Sequence, residues 1–152
     1  MKKLTMIFAV LATVAGTSAF ANSGEKGPDK VSKTIETAFQ QGFTGASNVS
    51  WETAEDFYFA SFNLNGSAVN AAYNEKGELV GMSRKLKLSE IPANISQSLK
   101  SEYAGYAISN TVTEVVYDGS TFYYATAQGA TKTLKLKCFS DGLIYVEKKV
   151  KK

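Results

Sequence analysis

Histidine does not occur in the 152 residues of this chain. Its absence removes the commonest general base, most zinc sites and every histidine-based triad. A serine can instead be activated by lysine, and Ser23-Gly24-Glu25-Lys26 fits the S-x-x-K spacing. Those residues lie in a Ser, Gly, Lys and Pro stretch with no scaffold to hold a reactive geometry, so the match is read as chance. Glu52, Glu55 and Asp56 cluster between two strand-like stretches, but without the D-x-[DN]-x-[DN]-G spacing of a calcium loop they read as a solvated turn. Neither of the Gly-rich phosphate-binding patterns is present. The sequence therefore implies no catalytic residue, no metal ligand and no cofactor, and reads as a non-enzyme.

The aromatic residues are where function is expected. Phe57-Tyr58-Phe59-Ala60-Ser61 returns as Phe122-Tyr123-Tyr124-Ala125-Thr126. In a strand, successive side chains point to opposite faces. If Tyr58, Ala60 and Phe62 face a helix, then Phe57, Phe59, Phe122 and Tyr124 project from the other face, as an open sheet surface with aromatic anchors for a protein or peptide. The competing expectation is that the sheet curls and these rings fill its concave side. Trp51 shares a face with Val49 and is placed in the core.

The elements that must position these rings are strongly marked. Val31, Ile35, Ala38 and Phe39 recur at helical spacing, which predicts an amphipathic helix over 29–41 with Asp29 as its cap. Strands follow at Val49–Trp51, 57–64, 68–73 and 78–86, with Asn65-Gly66 suited to a type I′ hairpin. Ser89-Glu90-Ile91-Pro92 opens a second helix carrying Ile91, Ile95, Leu99 and Tyr103. Strands at 108–117, 121–127, 131–139 and 143–150 complete the second half. The predicted architecture is α+β: a tandem duplicated α-β-β-β-β unit, with an antiparallel sheet and both helices on one face. Residues 30–152 are read as a single domain of two repeats, 30–87 and 88–152.

Lys2 and Lys3, an apolar run from Leu4 and the small residues Ser18-Ala19-Phe20-Ala21 form an export signal, with cleavage expected near Ala21. Residues 22–29 read as a flexible leader. Localisation is thus periplasmic or extracellular, with no membrane span in the mature chain. Cys138, the sole cysteine, continues the alternation Leu134, Leu136 and reads as a buried thiol. The 17 basic and 14 acidic side chains nearly balance, and loss of Lys2 and Lys3 leaves +1. No nucleic-acid partner is implied, because the lysines that close the chain carry no interleaved base-stacking rings.

The exported leader, the repeated helix and four-stranded meander, and the pattern Val49-x-Trp51 leading to Tyr58-x-Ala60-x-Phe62 and a glycine hairpin resemble the beta-lactamase-inhibitor-like or PepSY-like family of small exported bacterial proteins. The resemblance covers most of the mature chain and implies this fold and, at most, a hydrolase-modulating role. True inhibitors of this architecture carry disulfides, which a chain with one cysteine cannot form within itself. A self-associating envelope protein, such as a homodimer, is the alternative expectation.

Overall fold

The computed structural model describes residues 31–152. The expected export signal and leader, the S-x-x-K match and the expected cap Asp29 lie outside the described residues. Within them, two compact units divide after Arg84.

In the first unit, helix α1 (Lys33–Gly42) is capped by Ser32, whose Oγ accepts a hydrogen bond from the Ile35 amide at 3.4 Å. The helix starts several residues later than the sequence suggests, because the extended backbone of Ser32 already supplies the cap. Ile35 and Phe39, one turn apart, are its buried face. They pack with Phe43, Ala60, Phe62, Val69, Ala71 and Tyr73. The Phe39 ring meets Phe62 at 4.9 Å and Trp51 at 5.3 Å, both edge to face.

Strands β1 (Ser47–Ala54), β2 (Phe57–Leu64), β3 (Ser67–Asn74) and β4 (Leu79–Lys87) form an antiparallel meander. Asn65 and Gly66 both take positive φ, 51° and 80°, as a type I′ hairpin requires. Asn74 organises the next turn, its Oδ1 accepting from the amides of Lys76 and Glu78 at 3.0 Å each. Gly77 in that turn comes up against Thr34 of α1.

The second unit begins at Lys85, within β4. Helix α2 (Ala93–Glu102) follows Pro92, which stands at the N-cap with extended backbone. Ser89 and Glu90 belong to the turn before the helix. Ile95 and Leu99 are fully buried and pack with Ile91, Val112, Tyr123, Ala125, Ala127, Leu134, Leu136 and Cys138. The thiol of Cys138 is buried, as its alternation with leucines predicts.

The strand expected over 108–117 is interrupted. β5 (Ala107–Ile108) and β6 (Thr111–Tyr117) both pair with β7 (Ser120–Gln128), but their registers differ by two residues. Ser109 and Asn110 take up the slack: the Ser109 amide donates to the Thr126 carbonyl, and the Ser109 hydroxyl accepts from the Thr111 amide. β8 (Lys132–Phe139) and β9 (Ile144–Lys151) complete the unit, with a bulge in β9 opposite Lys135 and Leu136. Gly142, in the β8–β9 turn, lies against Asn94 and Ser98 of α2, and the Asn94 amide donates to the Ser140 carbonyl at 2.9 Å.

The protein is thus α+β with antiparallel strands, and each helix covers one face of the strands of its own unit. Among the described residues, no helix is long and apolar enough to cross a membrane.

Candidate functional site

Strand alternation sorts the repeated aromatic segments as predicted. Tyr58, Ala60 and Phe62 belong to the core under α1, and Tyr123 and Ala125 to the core under α2. Phe57, Phe59, Phe122 and Tyr124 therefore point away from the helices. Trp51 packs against the first core, while Val49 is 40 % exposed. The two line one cleft of about 500 Å³ beside Phe39 and Phe43.

Exposure of the four predicted anchors is uneven. Phe57, Phe122 and Tyr124 are half-buried, and Phe59 is only 4 % exposed. The expectation of an open surface is corrected for Phe59, which is buried on the helix-free face in a cross-strand row with Glu52, Ala72 and Gly81: alternation sets the face of a side chain, not the depth at which that face is covered. Other small or polar residues of this helix-free face are also buried, namely Ala72, Asn70 and Ser83.

In the second unit the aromatic anchors have company that the repeat does not reveal. Phe122 is paired with Phe139 across β7 and β8, and their rings meet edge to face at 5.3 Å. Phe139 in turn meets Tyr145 of β9 at 5.5 Å. Lys137, opposite Tyr124 on one side and Tyr145 on the other, holds its Nζ 4.1 Å from the Phe122 ring centre, 5.4 Å from that of Phe139 and 5.9 Å from that of Tyr124. An ammonium over aromatic faces at such distances is attracted by their quadrupoles. The result is a row of rings that runs from half-buried Phe122 to Tyr145, which is 58 % exposed.

Burial pushes the Tyr124 hydroxyl up to about 12, with a smaller push from the negative charge of Glu147. Tyr124 is therefore a neutral hydrogen-bonding group at any physiological pH. Phe139, Tyr145 and Lys137 lie outside the repeated segments. The signal that exposes them is parity: Lys135, Lys137 and Phe139 alternate with Leu134, Leu136 and Cys138, so a buried apolar set assigns them to the opposite face.

Glu52, Glu55 and Asp56 are exposed around the β1–β2 turn. Among the described residues, no group of three His, Cys, Asp or Glu side chains could hold a metal ion.

No protein-family model matches this chain, and no curated protein matches it. Solved structures do. The fold is that of a BLIP-like protein from Bacteroides fragilis, with a TM-score of 0.69 and 19 % identity over 87 % of this chain and 93 % of that one. A DUF2874 family protein from Bacteroides uniformis superposes with a TM-score of 0.68 and 17 % identity, over 80 % of this chain and 90 % of its own. A Bacteroides eggerthii protein provisionally named as periplasmic does so at 0.66 and 17 %, over 84 % and 90 %. The beta-lactamase-inhibitor-like part of the resemblance holds at the level of fold; none of these three names is PepSY-like.

Proposed function

We propose that this chain is an exported, non-enzymatic binding module that engages a protein or peptide through the helix-free sheet face carrying Phe122, Tyr124, Phe139 and Tyr145. The observation that carries the reading is the ring row from Phe122 through Phe139 to Tyr145, with Lys137 laid over it. Large rings contribute much contact area for little entropy loss, and a row that ends in solvent offers them to a partner. Of the two aromatic rings on the first unit's helix-free face, Phe57 is the one with surface to give, and Phe59 is buried within that face. The BLIP-like architecture directs the reading toward a modulator of a hydrolase, and the provisionally periplasmic neighbour agrees with export.

The test is capture from envelope extract by residues 22–152, compared with a Phe139→Ser/Tyr145→Ser variant whose fold is verified by circular dichroism. A discrete partner that the folded variant loses supports the reading. Equal capture by both proteins, or none, overturns it.

A second reading, a self-associating envelope protein, draws on β9. Within its unit this eight-residue strand pairs with β8 alone, and Val146 and Val150 are exposed along it. Mass that rises with concentration in light scattering favours this reading over the first.

A further inference from the structure

The helix-free face of the second unit carries a lysine set as well as rings. β8 places Lys135 and Lys137 on it, and the register Lys135↔Lys148 sets a third lysine directly opposite the first. Side chains so paired stand about 5 Å apart at Cβ, and like charges in that relation are destabilising. Lys135 donates to the neutral hydroxyl of Thr126 at 3.0 Å. Lys85, the first residue of the unit, is half-buried, and its ammonium is held below its ordinary range by burial and then by the positive charge of Lys135. Glu147 contributes negative charge, which acts on Tyr124.

Edge protection accounts for lysines on β9, since charged edges discourage strand pairing. It does not account for Lys135, because β8 is flanked by β7 on one side and β9 on the other. A lysine on an interior strand, facing another lysine and pressing on a third, leaves a local positive field beside a row of aromatic rings. Perturbed charges of this kind gather at sites that a ligand completes.

We infer that this face takes an acidic extended peptide, whose carboxylates lie on Lys135 and Lys148 while an intervening aromatic or apolar side chain packs on Phe139 and Tyr145. The inference rests on the binding-module reading and names the chemistry of its partner. In an extended segment every second side chain points the same way, about 7 Å apart, so carboxylates and rings on one edge of a peptide meet lysines and rings on the sheet. A polyanion or an anionic bilayer is the poorer fit. Such partners are gathered by a broad field, and the chain expected after export carries a net charge of only +1.

The experiment uses residues 22–152 with two short fluorescein-labelled peptides, one repeating Glu-Ser-Tyr-Ser, which puts Glu and Tyr on one face of an extended chain, and one repeating Gln-Ser-Tyr-Ser, read by fluorescence anisotropy. The Glu peptide is expected to bind about tenfold more tightly at low salt, from a few exposed charge pairs of modest worth each. That gap should narrow in added salt and close in Lys135→Gln/Lys148→Gln, whose two substitutions fall at exposed positions. Equal binding of the two peptides, or a gap that persists in the variant, overturns the inference. So does tighter association with phosphatidylglycerol vesicles than with the Glu peptide. Binding of both peptides alike, lost in Tyr145→Ser, sinks the acidic partner but keeps the binding face. Binding of neither peptide overturns the inference, while the envelope capture decides the module reading separately.

Discussion

Asn70 and Ser83 stand directly opposite one another on β3 and β4, 7 % and 1 % exposed, and neither Asn70 Nδ2 nor Ser83 Oγ has a hydrogen-bond partner. They continue a polar row, because Ser50 faces Ser61 and Ser61 faces Asn70 in the same register. One link in the row is short: the Ser61 hydroxyl donates to Asn70 Oδ1 at 2.6 Å. An unmade bond on a buried polar atom costs about 1–3 kcal/mol. Ser83→Ala removes the orphaned hydroxyl and little else, so it is expected to stabilise the chain by about 1 kcal/mol. Ser61→Ala takes a partner from a buried amide and should cost a similar amount. Urea midpoints decide between these outcomes. If Ser83→Ala is destabilising, an internal water bridges the pair.

Gly77 and Gly119 separate strain from contact. Both take positive φ, 79° and 70°, but a Cβ at Gly119 meets nothing, whereas one at Gly77 would lie 3.1 Å from Thr34 Cγ2 and 3.3 Å from the Thr34 carbonyl oxygen. Gly119→Ala is therefore expected to cost about 1 kcal/mol from backbone strain alone. Gly77→Ala should cost more, since the β3–β4 turn must also back away from α1. Thr34→Ser, which removes the nearer of those two atoms, should recover part of the difference in thermal melts. Equal costs at the two glycines would show that the turn yields freely.

Phe39 is the ring on which the first core turns, touching Phe43, Phe62 and Trp51 at once. Truncation to alanine should cost about 3–5 kcal/mol, for lost burial plus the cavity left among rings that cannot collapse onto it. Trp51 is the sole tryptophan of the chain and meets Phe39 edge to face, so its fluorescence reports the change directly. An emission spectrum that does not shift in native Phe39→Ala would place Trp51 outside this cluster.

The order helix, then strands, was legible because the helices and β8 bury their residues at a regular period. Ile35 and Phe39 repeat at the helical period, and Leu134, Leu136 and Cys138 at the strand period, each against polar residues. Turns were legible where a glycine had to take positive φ, as at Gly66 and Gly142. The break at Ser109 and Asn110 was not, since it arises from a register difference against β7 that only pairing reveals. Phe122 and Tyr124 enter the proposed face through the repeat. Phe139 and Tyr145 were missed because they join the ring row only across strands, and Phe59 misled because alternation gives a side chain's face but not how deeply that face is covered.

Tyr73 and Cys138, one in each unit, weaken the fold at alkaline pH, and Tyr124 adds to the effect in the second unit. Burial raises the Tyr73 hydroxyl from 10.0 to about 12. Burial, and after it the charge of Glu102, raises the Cys138 thiol from 9.0 to about 12. In both cases the folded chain keeps a proton that the unfolded chain gives up, so unfolding releases protons once the pH passes the unfolded value. The stabilisation is complete below about pH 9 and is lost as the pH climbs through about 12, with Tyr73 accounting for on the order of 2 kcal/mol of it. Urea midpoints should accordingly hold steady through neutral pH and fall above it, and Tyr73→Phe, which cannot ionise, should flatten part of that fall. The same burial keeps the Cys138 thiolate scarce, so at about pH 8 an aromatic disulfide reagent should leave the native thiol unmodified and label it only in denaturant. Labelling of the native chain at the rate of a free thiol would mean that the β8 strand opens far more often than its buried leucines allow.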